Sequence, residues 1–122
     1  MAENDLKVIV KAKELAVHSF KLTSNNNRYP KKYRHSLCDR IQNISMDLYE
    51  ALMEANGINN VTHKRERCDM ISRSVMLCDK LLFYIELSMM LNVLNPQSAE
   101  YWSTMVRDVK YMSLAWRTRE RK

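Results

Sequence analysis

The sequence predicts an all-α fold: an antiparallel, up-down-up-down four-helix bundle that takes up residues 1–122 as one domain. Three observations predict it. With one glycine and two prolines in 122 residues, the chain has few residues suited to hairpins or βα turns. Apolar residues recur at helical spacing in four stretches, which part at the polar breaks "TSNNNRYP", "NGINNVT" and "LNPQSAE". A hydrophobic content of 46% is enough for one core without metal or disulfide staples, and short connections between long helices make neighbours antiparallel.

The first helix is expected over about residues 5–22, capped by Asn4 or Asp5, with Leu6, Ile9, Val10, Val17 and Phe20 on its core face. The second is expected over about 30–56. Pro30 suits its first turn, Leu37, Ile41, Ile44, Leu48, Leu52 and Ala55 form its stripe, and Asn56-Gly57 ends it. The third is expected over about 63–94, capped by Thr62, with Ile71, Val75, Cys78, Leu82, Ile85 and Met89 inward. The fourth is expected over about 97–118, after Pro96, with Asn95 or Ser98 as cap and Trp102, Met105, Val106, Val109 and Trp116 inward.

Three of these helices carry more apolar surface than one stripe. At about 100° per residue, the third places Met76, Phe83, Leu87, Met90 and Leu94 opposite its core face. The second places Cys38, Met46, Tyr49 and Met53 on a flank, and the first places Val8, Ala12, Leu15 and Leu22 opposite Leu6 and Val17. One reading is a central helix with ordinary core residues. The other is a homo-oligomer whose subunits meet through Met46, Tyr49, Met76, Phe83, Leu87 and Met90, since large exposed apolar patches mark interfaces and methionine suits an adaptable contact.

The charge balance, twenty Lys and Arg against fourteen Asp and Glu, favours polyanions or acidic protein surfaces as partners. The cations are organised. Lys31, Lys32 and Arg34 open the second helix, Arg73 and Lys80 share a face of the third, and Arg107, Lys110, Arg117 and Arg121 form a stripe on the fourth. The first helix adds Lys7, Lys11, His18 and Lys21, interrupted by Glu14. Such rows would neutralise phosphates and give salt-sensitive, sequence-independent binding.

No catalytic or metal-binding constellation is expected. Glu14 and His18 lack the Glu-x-x-His spacing of di-iron bundles, and one glycine cannot build a phosphate-cradling loop. Cys38 beside His35 reads as a buried structural cysteine, because nothing marks an oxyanion hole or an orienting acid. Cys38, Cys68 and Cys78 have no CxxC spacing, which fits a reducing cytoplasm better than disulfides or zinc. The acidic start "MAENDLKVIVKAKEL" is unlike a signal peptide, and "LLFYIELSMML" is too short to span a bilayer.

Three segments carry a resemblance: "NNNRYPKKYRHSLCDRIQNISMDLYEALMEAN", "LCDKLLFYIELSMMLNVLN" and "YWSTMVRDVKYMSLAWR". In that order they closely resemble the accessory variability determinant proteins of diversity-generating retroelements, and the four-helix-bundle proteins encoded in intervening sequences of ribosomal-RNA genes. The resemblance implies a basic, ring-like homopentamer without catalytic residues or cofactors, acting in the cytoplasm of a bacterial, archaeal or phage-infected cell. Its implied partners are the element's reverse transcriptase, the template RNA and the cDNA product. Its implied role is in adenine-directed mutagenic reverse transcription and retrohoming, with the polymerase chemistry in the partner, since this chain has no Tyr-x-Asp-Asp motif. The intervening-sequence likeness implies instead a stand-alone bundle with a structural or nucleic-acid-binding role.

Overall fold

The computed structural model describes residues 3–122, and the side chains from residue 7 onward. The described residues form four α-helices and no strand: α1 (Glu3–Thr23), α2 (Asp39–Gly57), α3 (Lys64–Met90) and α4 (Pro96–Arg121). Each packs on two neighbours, α1 and α3 both lying against α2 and α4. The expected cap at Asn4 or Asp5 and the packing of Leu6 lie outside the described side chains.

The core centres on Trp102 and Trp116, both fully buried with Ile41, Leu48, Leu52, Ile71, Leu81 and Val106 around them. Small polar residues share it. Ser19, Ser45, Ser74, Ser88 and Ser113 are buried, at least one on each helix. Most turn their hydroxyls back to their own helix, as Ser19 does to the Leu15 carbonyl at 2.8 Å and Ser88 to that of Tyr84 at 2.8 Å. The Trp102 indole N–H donates to the Ser19 hydroxyl at 3.0 Å, tying α4 to α1 inside the core.

The inward face of α1 is the one that carries Ser19, which reverses the sequence expectation. Val8, Ala12 and Leu15 are 0% exposed, whereas Val10 and Val17 are 52% and 48% exposed. On α3 the core face is rotated to Ile71, Ser74, Leu77, Cys78, Leu81, Ile85 and Ser88, leaving Val75 and Leu82 half-buried and Met89 exposed. The stripes expected on α2 and α4 are inward, except that Ile44 and Met105 are half-buried.

The ends differ from expectation for local reasons. After Pro30 the chain makes a 3-10 turn (Lys31–Tyr33) and then a wide π turn (Arg34–Cys38) before α2 begins. Gly57 ends α2 without a left-handed conformation. The Arg67 guanidinium donates to the Ile58 carbonyl at 2.8 Å and that of Asn56 at 3.4 Å, closing the carbonyl end of α2 with positive charge. Thr62 does not cap α3, because its hydroxyl meets His63 Nδ1 at 2.7 Å while Asn59 Oδ1 accepts from the Val61 and Thr62 amides.

At its other end α3 stops at Met90 rather than near 94. Asn92 takes φ 62°, and the Val93 and Asn92 amides donate to the Ser88 and Met89 carbonyls at 3.1 and 3.0 Å. This turn sends Leu94 into the core. Asn95 caps α4 as expected, its Oδ1 accepting from the Ser98 amide at 2.7 Å ahead of Pro96.

Candidate nucleic-acid interface

Because α3 buries the line from Ile71 to Ser88, the residues opposite must face outward. Met76, Phe83 and Met90, spaced by seven, form a ridge with exposures of 58%, 56% and 69%. Arg73 and Lys80 run along one side of it, exposed and without an ion pair or hydrogen bond. The other side is taken by α4. Lys110 Nζ meets Asp79 Oδ1 at 2.8 Å, and Arg117 donates to the Ser72 hydroxyl at 3.0 Å. The hydrogen bond that Lys110 donates to Asp79 raises its pKa above the ordinary value. Arg107 lies along the same helix and is held by Glu100 at 2.9 Å, and Arg121 ends the row exposed.

Beside the ridge, α2 and α3 enclose an open cleft of about 500 Å³. Arg40 and Asn43 come from α2, and Asp79, Lys80, Phe83 and Tyr84 from α3. The Phe83 ring packs edge-on to Tyr84, with centroids 5.2 Å apart at 65°. Arg40, like Lys80, has no ion pair.

The structure thus splits the predicted site residues into groups. Arg73, Lys80, Lys110 and Arg117 gather around the Met76–Phe83–Met90 ridge. Lys31, Lys32 and Arg34 sit elsewhere, in the turns that lead into α2. There Lys32 lies 5.2 Å over the Tyr33 ring and Arg34 donates to Asn26 at 3.3 Å. Among the expected interface residues, Met46 is exposed, but Tyr49 and Leu87 are half-buried and pack against the core. Leu94 and Cys38, also assigned to outer faces, are buried.

Arg40 and Asn43 were not among the predicted contact residues. Their signal was the phase of α2: with Ile41 and Leu48 inward, positions 40, 43 and 44 fall on the flank beside α3. Arg67, given no role by the sequence pattern, is 6% exposed. It pairs with Glu120 at 3.2 Å and lies 5.1 Å over the Trp116 ring, whose indole N–H also donates to Glu120. Only tertiary structure could reveal that role.

The residues weighed for catalysis do not converge. His35 turns to Asp39 at 3.0 Å, away from Cys38, whose thiol is buried and pushed up by desolvation. His18 rests edge-on to Tyr101 and Trp102, where burial, reinforced by Arg28 and Lys21, lowers its pKa. Among the described residues no three His, Cys, Asp or Glu side chains cluster as metal ligands, and no helix is long and apolar enough to cross a membrane. Comparison with protein-family models, curated proteins and solved structures found no match. The likeness to the retroelement accessory proteins therefore rests on the quoted segments themselves.

Proposed function

We propose that this chain is a non-catalytic accessory protein of a diversity-generating retroelement, binding the reverse transcriptase and the template RNA and cDNA, and required for adenine-directed mutagenic reverse transcription and retrohoming. The observation that carries the nucleic-acid part is the α3 ridge, an exposed apolar and aromatic line with unpaired Arg73 and Lys80 on one side and Lys110 and Arg117 on the other. Cations interleaved with exposed aromatic surface bind phosphates while the rings accept bases. Interaction with the reverse transcriptase comes from the motif resemblance alone.

Up-down-up-down packing of the helices is part of this reading. It is supported by Arg67 at the start of α3, which meets both Glu120 at the end of α4 and the carbonyls at the end of α2. Assembly into a homo-oligomer, a pentamer by resemblance, is supported by outward Val10 and Val17 on α1 and Met46 and Met53 on α2. The deciding experiment is capture of the neighbouring reverse transcriptase and its template RNA by the tagged protein at moderate salt. Recovery of both supports the proposal. Recovery of RNA alone moves the protein to the intervening-sequence type, and recovery of neither ends the nucleic-acid reading.

A further inference from the structure

The α2–α3 cleft is more specific than a basic surface requires. Phe83 is more than half exposed, and its ring stands edge-on to Tyr84 at the mouth of the cleft. Arg40 from α2 and Lys80 from α3 line the same cleft as the ring, and neither is neutralised. Asp79, the one acid in the cleft, is already occupied by Lys110. Ile44 and Tyr84 complete the lining, so the ring stands in a mainly apolar wall with Arg40 and Lys80 as its free charges. A cleft of about 500 Å³ also matches the size of small-ligand sites, and an aromatic face beside paired cations is the pattern that holds unpaired bases.

We infer that this cleft seats one unpaired nucleotide of single-stranded RNA, its base stacked on Phe83 and its flanking phosphates held by Arg40 and Lys80. The Asn43 amide lies within the cleft to meet the base edge. Stacking on one ring tolerates any base, so the site selects for unpaired strand rather than for sequence. Duplex RNA is excluded because its bases already stack on one another. The inference rests on the RNA-binding reading above and gives it a particular seat.

The test is fluorescence anisotropy with a labelled oligoadenylate, its DNA counterpart and a blunt RNA duplex, on the full chain and on Phe83→Leu, Phe83→Tyr and Lys80→Gln. Phe83→Leu keeps apolar bulk but loses the π face, and should weaken unpaired RNA about tenfold while leaving duplex binding and the mass in light scattering unchanged. Phe83→Tyr should bind as the parent does, and Lys80→Gln should lower the salt slope by about one. Parent-like binding by Phe83→Leu overturns the cleft assignment while the broader RNA reading survives. Equal loss on duplex and unpaired strand, or tighter binding of DNA, overturns it too. Loss of reverse-transcriptase capture at unchanged RNA affinity would give the cleft to a protein partner. Failure of the parent chain to bind any RNA ends both readings.

Discussion

Arg67 and Lys80 stand on the same helix, one buried at its start and the other exposed midway along it. The guanidinium of Arg67 has an ion pair with Glu120, hydrogen bonds to two carbonyls and an aromatic face, that of Trp116. Lys80 has no partner, although an exposed phenylalanine and a second free cation lie beside it. The contrast separates architecture from recognition. A buried charge is tolerated when it is paired inside the fold, as both terminal nitrogens of Arg67 are, although its Nε–H has no partner. Cations beside an exposed ring have no such internal account, and the proposed nucleotide seat would supply one.

Breaking the Arg67 end should give the largest effect. Glu120→Ala strands a buried guanidinium and removes the acceptor of the Trp116 indole, so chemical denaturation should show a loss of about 3 kcal/mol. A simultaneous Arg67→Met change should restore much of it, and a single-variant loss under about 1 kcal/mol would mean that water already reaches the pair. Trp102→Phe should be milder, about 1–2 kcal/mol, because it removes one neutral hydrogen bond to Ser19 from a packed core.

The buried neutral groups should also give the fold a pH signature. Burial pushes both the Cys78 thiol and the Tyr29 phenol up to about 12. Their folded-state values are thus raised above the unfolded ones, so this contribution is complete below about pH 9 and is lost as pH climbs toward 12. His18 works in the opposite sense. Its lowered pKa contributes stability above its ordinary value of 6.5, which is lost as the solution is acidified through the folded-state value. Unfolding midpoints measured across pH should fall at both ends, and Cys78→Ala should flatten the alkaline limb. An unchanged limb would show that the thiol is not shielded.

The ridge should behave in reverse, with almost no effect on folding. Arg73→Glu with Lys80→Glu should move stability by no more than about 0.5 kcal/mol, yet lower the salt slope of RNA binding by about two. Lys110→Met should also cost under about 1 kcal/mol, since its pair with Asp79 is partly exposed. A large loss of stability from either change would make the ridge part of the architecture after all.

Helix number was legible, as were the stripe of α4, whose apolar line is single, and that of α2, whose second line lies on a flank and not opposite. The stripe of α1 was not. Two opposite lines, Val8–Ala12–Leu15 and Val10–Val17, are both apolar, and the choice between them is made by Ser19, which hydropathy counts as polar. Its hydroxyl satisfies itself on Leu15 and receives the Trp102 indole, so the line containing it goes inward. Ser74 and Ser88 rotate α3 in the same way, since small side chains let helices approach and their hydroxyls bond to backbone. The ridge was visible as Met76, Phe83 and Met90, spaced by seven. The cleft beside it was not, because Arg40 and Phe83 come together only when α2 and α3 pack.

The wide turn at Arg34–Cys38 has one further consequence. A π turn holds one more residue than an α turn, so it behaves as a single-residue insertion spliced into a helix start. Removing exposed Ser36 would convert it to ordinary α geometry and swing Lys31 and Lys32 about 100° around the axis, while Ile41 and Leu48 stayed in place. Buried Leu37 and Cys38 within the wide turn and Tyr29 ahead of the basic turn would resist that swing, so chain length and these core anchors together set the aim of Lys31 and Lys32.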